Sequence, residues 1–132
     1  DIKVEDNAFV LMQSDNKVIA SMHSSATQWK HKFLLEMCFE EGYINLDGIL
    51  SGTRSYAPEK LIIGRREFED VTFAMGKPKE SIVYFENDHS WNLEIDEFIG
   101  AINGDGIIKE GTFQDAYETL SLVQRVYENS EI

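Results

Sequence analysis

The apolar residues of this chain change their period once, and that change restricts the fold more than any motif does. Up to Phe85 they come in short runs that alternate or are apolar throughout; from Trp91 they recur every three or four residues. Residues 31–40 (HKFLLEMCFE) show the first pattern most plainly. Phe33, Leu35, Met37 and Phe39 fall on one face and face a core, while Lys32, Leu34, Glu36, Cys38 and Glu40 fall on the other. Glu41-Gly42 then turns the chain into residues 43–47, where Ile44 and Leu46 share a side. Upstream, residues 8–13 (AFVLMQ) and 17–23 (KVIASMH) flank Ser14-Asp15-Asn16, which has the composition of a short hairpin loop. Downstream, residues 60–65 (KLIIGR) and 80–86 (ESIVYFE) read as strands. Between them 67–75 reads as extended, and Gly76-Lys77-Pro78 breaks it. Residues 48–59 read as a loop, with Pro58 biasing Ala57 towards extended geometry.

The second pattern gives two helices. Trp91, Ile95, Phe98, Ile99 and Ile102 form one stripe, with Asn87 or Asp88 placed to cap it and Gly104-Asp105-Gly106 to end it. The other helix opens at Thr112, with Asp115 three residues on in the manner of a capping box. It carries Phe113, Ala116, Tyr117, Leu120, Val123 and Tyr127. A block of strands followed by a pair of helices predicts an α+β fold. The expected architecture is one open, mostly antiparallel or mixed sheet of five to six strands with both helices on one face. Residues 8–13, 60–65 and 81–85 are apolar on both faces, so the other side of that sheet needs cover. Another subunit or a further domain is expected there.

Length and charge narrow the partners. A chain of 132 residues suffices for one domain, and 42% hydrophobic residues argue for folding. Twelve Lys and Arg against 24 Asp and Glu leave a formal charge of −12, which repels phosphate backbones and anionic lipid. No apolar run reaches the roughly 18 residues of a membrane span, and no signal peptide is visible. The single cysteine, Cys38, excludes an intrachain disulfide and fits a reducing, cytoplasmic setting; its apolar strand predicts an inert buried thiol. The chain opens at Asp1 within sequence already patterned as structure, so a piece of a longer polypeptide is expected.

Catalytic signals are sparse. Residues 101–112 (AINGDGIIKEGT) imitate a calcium loop at Asn103, Asp105, Gly106 and Ile108, but Ala101 and Thr112 stand where carboxylates are needed. His23, His31 and His89 have no metal-ligand spacing, and no second cysteine joins them. Glu94 and Glu97 belong to a solvated helix face. No G-x-G-x-x-G or Walker loop occurs, Ser24 and Ser25 lack a nucleophile elbow, and Arg65-Arg66 is isolated in an acidic chain. The polar stretch Ser24-Ser25-Ala26-Thr27-Gln28-Trp29 collects hydroxyls, an amide and an indole, the groups that sugar recognition uses. It reads either as such a surface or as a strand crossing with Trp29 half-buried.

Four segments in order carry a resemblance: SMHSSATQWKHKFLLEMCFEEGYINLDGI, SYAPEKLII, SWNLEIDEFIGAI and GTFQDAYETLSLVQRVYENS. Over roughly residues 5 to 130 the chain resembles the C-terminal domain of the glucose–fructose oxidoreductase, inositol dehydrogenase and rhizopine-catabolism family (Gfo/Idh/MocA). The closing pattern of Glu94 and Phe98, a Gly-containing loop, Gly111, Asp115-Ala116 and Tyr127 is its most specific part. The resemblance implies a parent enzyme with an N-terminal Rossmann domain that binds NAD or NADP. That parent oxidises or reduces a sugar, cyclitol or nucleotide sugar. It also implies oligomerisation through the open sheet face. The family's nucleotide loop, Glu-Lys-Pro lysine and partner Asp and His have no counterpart here, so no catalytic residue is carried over and the chain alone is expected to be inactive. His23, Gln28 and Trp29 stand as substrate-side candidates. The alternative is a stand-alone, non-catalytic α+β module that binds a ligand or a protein.

Overall fold

The computed structural model describes residues 4–66 and 79–130. The described elements are β1 (Asn7–Gln13), β2 (Ile19–Ser25), β3 (Leu34–Phe39), β4 (Gly42–Asp47), β5 (Glu59–Arg65), β6 (Glu80–Phe85), α1 (Ser90–Asn103) and α2 (Phe113–Glu128). The α+β class stands, but the single sheet does not: β1 and β2 form a two-stranded sheet, and β3 to β6 form a separate antiparallel meander in sequence order. The chain divides into two units, Asp1–Gln28 with Trp91–Ile132, and Trp29–Ser90. The helices therefore group with the β1–β2 hairpin rather than along one face of a continuous sheet. Alternation specifies a strand and its faces, but not which edge it pairs with. Residues 27–33 belong to no strand, and Ala26 N–H bonds back to Asp6 C=O at 2.7 Å, so the ladder from β2 stops before β3 begins. The predicted extended run 67–75 and the Gly76-Lys77-Pro78 break lie outside the described residues.

In the first unit the hairpin loop is wider than the sequence predicts. Ser14 N–H bonds Val18 C=O at 2.9 Å, Lys17 N–H bonds Ser14 C=O at 2.9 Å, and Lys17 takes a left-handed φ of 70°. The first paired positions are Gln13 and Ile19, so β2 starts two residues later than expected and takes in Ser24 and Ser25. Ala8, Val10 and Met12 are half-buried, while Asn7, Phe9, Leu11 and Gln13 are exposed. The helix starts agree with the predicted caps. At α1, the Ser90 N–H and hydroxyl donate to Asp88 Oδ1 at 3.0 and 2.6 Å. At α2, Thr112 N–H donates to Asp115 Oδ2 at 2.8 Å while Asp115 N–H donates to Thr112 Oγ1 at 3.2 Å, a full capping box. These bonds favour the ionised carboxylates and lower the pKa of both Asp88 and Asp115. The loop after α1 is closed by Glu97, which accepts the Lys109 N–H rather than standing free on a solvated face. Among the described residues, no helix is long and apolar enough to cross a membrane.

The second unit is a sheet with two chemically different faces. Directly paired residues share a face, so Leu35, Leu46, Leu61 and Val83 form one apolar rank and Met37, Ile44, Ile63 and Ser81 the next. The opposite face is mixed: it carries Ile62 and Ile82 between two ranks that hold polar bonds. Lys60 Nζ meets Asp47 Oδ2 at 2.8 Å, on strands whose Cα atoms pair directly. Two ranks along, past Asn45 and Ile62, the Tyr43 ring crosses β5 and its hydroxyl donates to Glu80 Oε1 at 2.5 Å on β6. It can do so because the residue between them is Gly64, where an added Cβ would lie 2.3 Å from Tyr43 Cζ. Cys38 lies on this mixed face of edge strand β3, opposite Tyr43, and is exposed. The expected buried thiol is thus corrected: an edge strand leaves one flank uncovered. No described apolar side chain in either unit is buried; Phe33 and Met37 are half-buried, while Leu35 and Phe39 are exposed. The apolar face is present as expected, and among the described residues none of its side chains is buried.

The bond to Glu80 raises the Tyr43 pKa, because a carboxylate acceptor favours the protonated phenol. Its contribution to stability is present below the unfolded tyrosine value near 10 and is lost as pH rises through the higher folded value. Gly64→Ala displaces the ring and breaks the bond. Followed by tyrosine Cζ NMR, Tyr43 in that variant is expected to titrate closer to the ordinary value, and the sheet to lose part of its alkaline sensitivity. An unchanged Tyr43 titration would contradict the bridge.

Candidate binding surfaces

The polar residues singled out in the sequence fall on two surfaces, one in each unit. On the hairpin, Asn7 pairs with Ser25 and Phe9 with His23, so these four side chains share its exposed face. The Phe9 and His23 rings stack with centroids 4.1 Å apart and planes inclined by 7°. His23 Nε2 lies 3.4 Å from Asn7 Oδ1, and Asn7 Nδ2 donates to Thr27 Oγ1 at 3.1 Å. Thr27 Oγ1 in turn lies 3.1 Å from Ser25 Oγ, and Thr27 N–H donates to the same Ser25 hydroxyl at 3.2 Å. Imidazole, amide and two hydroxyls thus run in one connected row beside an aromatic face. Each group keeps hydrogen-bonding capacity for a ligand.

His23 belongs to this row. Gln28 is exposed at the end of the same unit, while Trp29 opens the other unit and is 94% exposed. The half-buried Trp29 of the crossing reading is therefore not observed. Asn7 and Phe9 were missed by sequence reasoning, because their link to His23 comes from the cross-strand register and not from local spacing; Thr27 belonged to the polar stretch singled out there.

The second surface is built from residues 29–33 and the loop 48–58. Gly48 N–H bonds Phe33 C=O at 2.9 Å, and Ile49 N–H bonds Tyr56 C=O at 3.2 Å. The His31 and Tyr56 rings meet at 4.9 Å with their planes inclined by 50°. Within the loop, Thr53 Oγ1 lies 3.3 Å from Ser51 Oγ and 2.7 Å from Ser55 Oγ. The Glu59 carboxylate accepts the Leu50 N–H and closes the loop at its base.

A cleft of about 720 Å³ lies between the hairpin and the last turns of α2, walled by Val10, Met12, Ala20, Leu122 and Val126, with Arg125 beside them. Its lining is about equally polar and apolar, with Gln13, Ser14, Asn129 and Ser130 also at the walls. Among the described residues, no group of three or more His, Cys, Asp or Glu is placed to hold a metal ion.

Comparison of the chain with protein-family models, with curated protein sequences and with solved structures gives no match. The chemistry of the two surfaces is therefore argued from their own residues.

The hairpin row is testable by NMR. A ring stacked face to face shields its neighbour, so the His23 ring protons are expected upfield of an unstacked histidine. Phe9→Leu should return them downfield, and Asn7→Ala should leave the stack in place while detaching Thr27. Identical His23 shifts in the native chain and in Phe9→Leu would remove Phe9 from the site.

Proposed function

We propose that this chain is the C-terminal sheet domain of an NAD(P)-dependent oxidoreductase acting on a sugar, cyclitol or nucleotide sugar. In that enzyme it supplies a substrate-side platform. The observation that carries the reading is the connected row of His23, Asn7, Thr27 and Ser25 beside the Phe9 ring. Alternating donors and acceptors with an adjacent apolar ring match a polyol, which offers hydroxyls on its edges and C–H groups on its faces. The ordered motifs that resemble the Gfo/Idh/MocA C-terminal domain support the same reading.

The chemistry of this reading is binding and orientation. The sequence holds no G-x-G-x-x-G dinucleotide loop, and no step of hydride transfer is assigned to its residues. Asn7 Nδ2 donates to Asp6 Oδ1 at 3.0 Å and to Thr27 Oγ1 at 3.1 Å, so its remaining capacity is on Oδ1, which can accept from a sugar hydroxyl. The Ser25 and Thr27 hydroxyls can switch roles by rotation, which suits a ligand whose own hydroxyls are amphoteric. Gln28 follows Thr27 in the same unit, and Trp29, in the other unit, is a separate substrate-side candidate. On the same reading the apolar face of the four-stranded sheet meets another subunit, and the parent works in the cytoplasm with its Rossmann domain N-terminal to this chain.

The test begins with the coding sequence upstream of Asp1 and an assay of the complete polypeptide. A strand–G-x-G-x-x-G–helix unit and NAD(P)-dependent turnover of a sugar or cyclitol are expected. In that polypeptide Trp29→Ala should raise KM with little change in kcat, the signature of lost binding that is uniform between ground and transition states. The chain by itself should show no heat of NAD binding. A start codon directly before Asp1, with sugar binding but no turnover, would replace this reading by a stand-alone binding module.

A further inference from the structure

Carboxylates are dense in this chain, with 24 Asp and Glu in 132 residues. Yet none occurs between Asp15 and Glu36, or between Asp47 and Glu59. The fold brings parts of these two acid-free stretches together. The Phe33–Gly48 and Tyr56–Ile49 backbone bonds and the His31–Tyr56 ring contact set residues 29–33 beside the loop 48–58. Lys30 and Lys32 flank His31, and Arg54 lies two residues before Tyr56, so cations come from both sides of the contact. Among the described residues, the side chains of Lys30, Lys32 and Arg54 make no ion pair or hydrogen bond, although the chain is rich in carboxylates. Arg54 has a left-handed φ of 55° and is held by Arg54 N–H to Ser51 C=O at 2.9 Å and Ala57 N–H to Arg54 C=O at 3.2 Å. Ser51, Thr53 and Ser55 add a chain of hydroxyl donors in the same loop.

We propose that this surface binds a sugar phosphate, with Lys30, Lys32 and Arg54 engaging the phosphoryl group and Trp29 and Tyr56 the C–H face of the sugar. Three cations without carboxylate partners, together with hydroxyls, are the donor set of an anion site. The net charge of −12 selects a small anion. A polyanion such as RNA spans far more than the Debye length of about 8 Å and meets the repulsion of the whole chain, whereas a single phosphoryl group feels mainly the local cations. The indole of Trp29, 94% exposed, gives the sugar a stacking surface that inorganic phosphate does not need. The proposal deepens the reading above and rests on it only for calling the ligand a substrate. The phosphoryl group can belong to a free sugar phosphate or to the ribose phosphate of a dinucleotide, and these are separable.

The test is calorimetry of the chain with glucose 6-phosphate, glucose, inorganic phosphate and NADP+, with the Trp29 indole N–H followed by NMR. Glucose 6-phosphate is expected to bind and to move the Trp29 signal, glucose to do neither, and inorganic phosphate to bind about tenfold more weakly. Raising the ionic strength should weaken binding. The triple variant Lys30→Gln, Lys32→Gln, Arg54→Gln changes exposed side chains only and should keep the native circular dichroism while losing about tenfold or more in affinity. Tighter binding of NADP+ than of glucose 6-phosphate, lost in the same variant, assigns the phosphoryl group to a dinucleotide; the reverse order assigns it to a free substrate. Equal binding of glucose and glucose 6-phosphate, or a folded triple variant with unchanged affinity, overturns the proposal. So does inorganic phosphate binding as tightly as the ester. Binding by the chain without NAD(P)-dependent turnover in the complete polypeptide removes the oxidoreductase reading and leaves the site; turnover without binding does the opposite.

Discussion

At Gly48 the backbone passes so close to Pro58 that a Cβ would lie 1.8 Å from the Pro58 carbonyl oxygen, and the φ of 82° is itself one that favours glycine. No side-chain rotation relieves that contact, because the obstacle is backbone. The close passage holds both ends of the loop 48–58 together, and the Gly48 N–H ties the loop to Phe33. The His31 ring therefore meets Tyr56, which brings parts of two distant acid-free stretches together. The second binding surface depends on this one glycine more than on any residue that would touch a ligand.

The four-stranded sheet works by a related economy of space. Gly64 leaves a gap in β5 through which Tyr43 reaches Glu80, so β4 and β6 are linked across a strand that separates them. Lys60 and Asp47 bond two ranks away on the same face. Those bonds lie on a mixed side that also holds Ile62 and Ile82, and the other side carries Leu35, Met37, Ile44, Leu46, Leu61 and Ile63. Such a face, uncovered among the described residues, is the physical reason to read the chain as one part of a larger assembly.

Much of this was legible in the sequence because it is local. The alternation of residues 33–39 and 43–47, the Glu41-Gly42 turn and the Thr112–Asp115 capping box all lie within a few residues of one another. The pairing of strands is not local, and there the expectation of one sheet failed between β2 and β3. The hairpin loop was read two residues short because Val18 was counted as strand, although its C=O closes the loop onto Ser14. His23 was found as a candidate through its polar surroundings, but its partners Asn7 and Phe9 depend on a register set by that wider loop. The Lys30, Lys32 and Arg54 cluster left a trace in the sequence, the two gaps in carboxylate spacing. Only the Gly48 passage shows that the gaps meet.

On the proposed reading the two surfaces bind and orient a ligand, and no hydride-transfer role is assigned to their residues. What the chain must provide is a defined geometry between residues 29–33 and the loop 48–58. The most direct measurement is the nuclear Overhauser effect between the His31 and Tyr56 rings in the native chain and in Gly48→Ala. The account predicts clear ring-to-ring cross-peaks in the native chain, lost in Gly48→Ala. Absence of those cross-peaks in the native chain, or their survival in a folded Gly48→Ala, would contradict it.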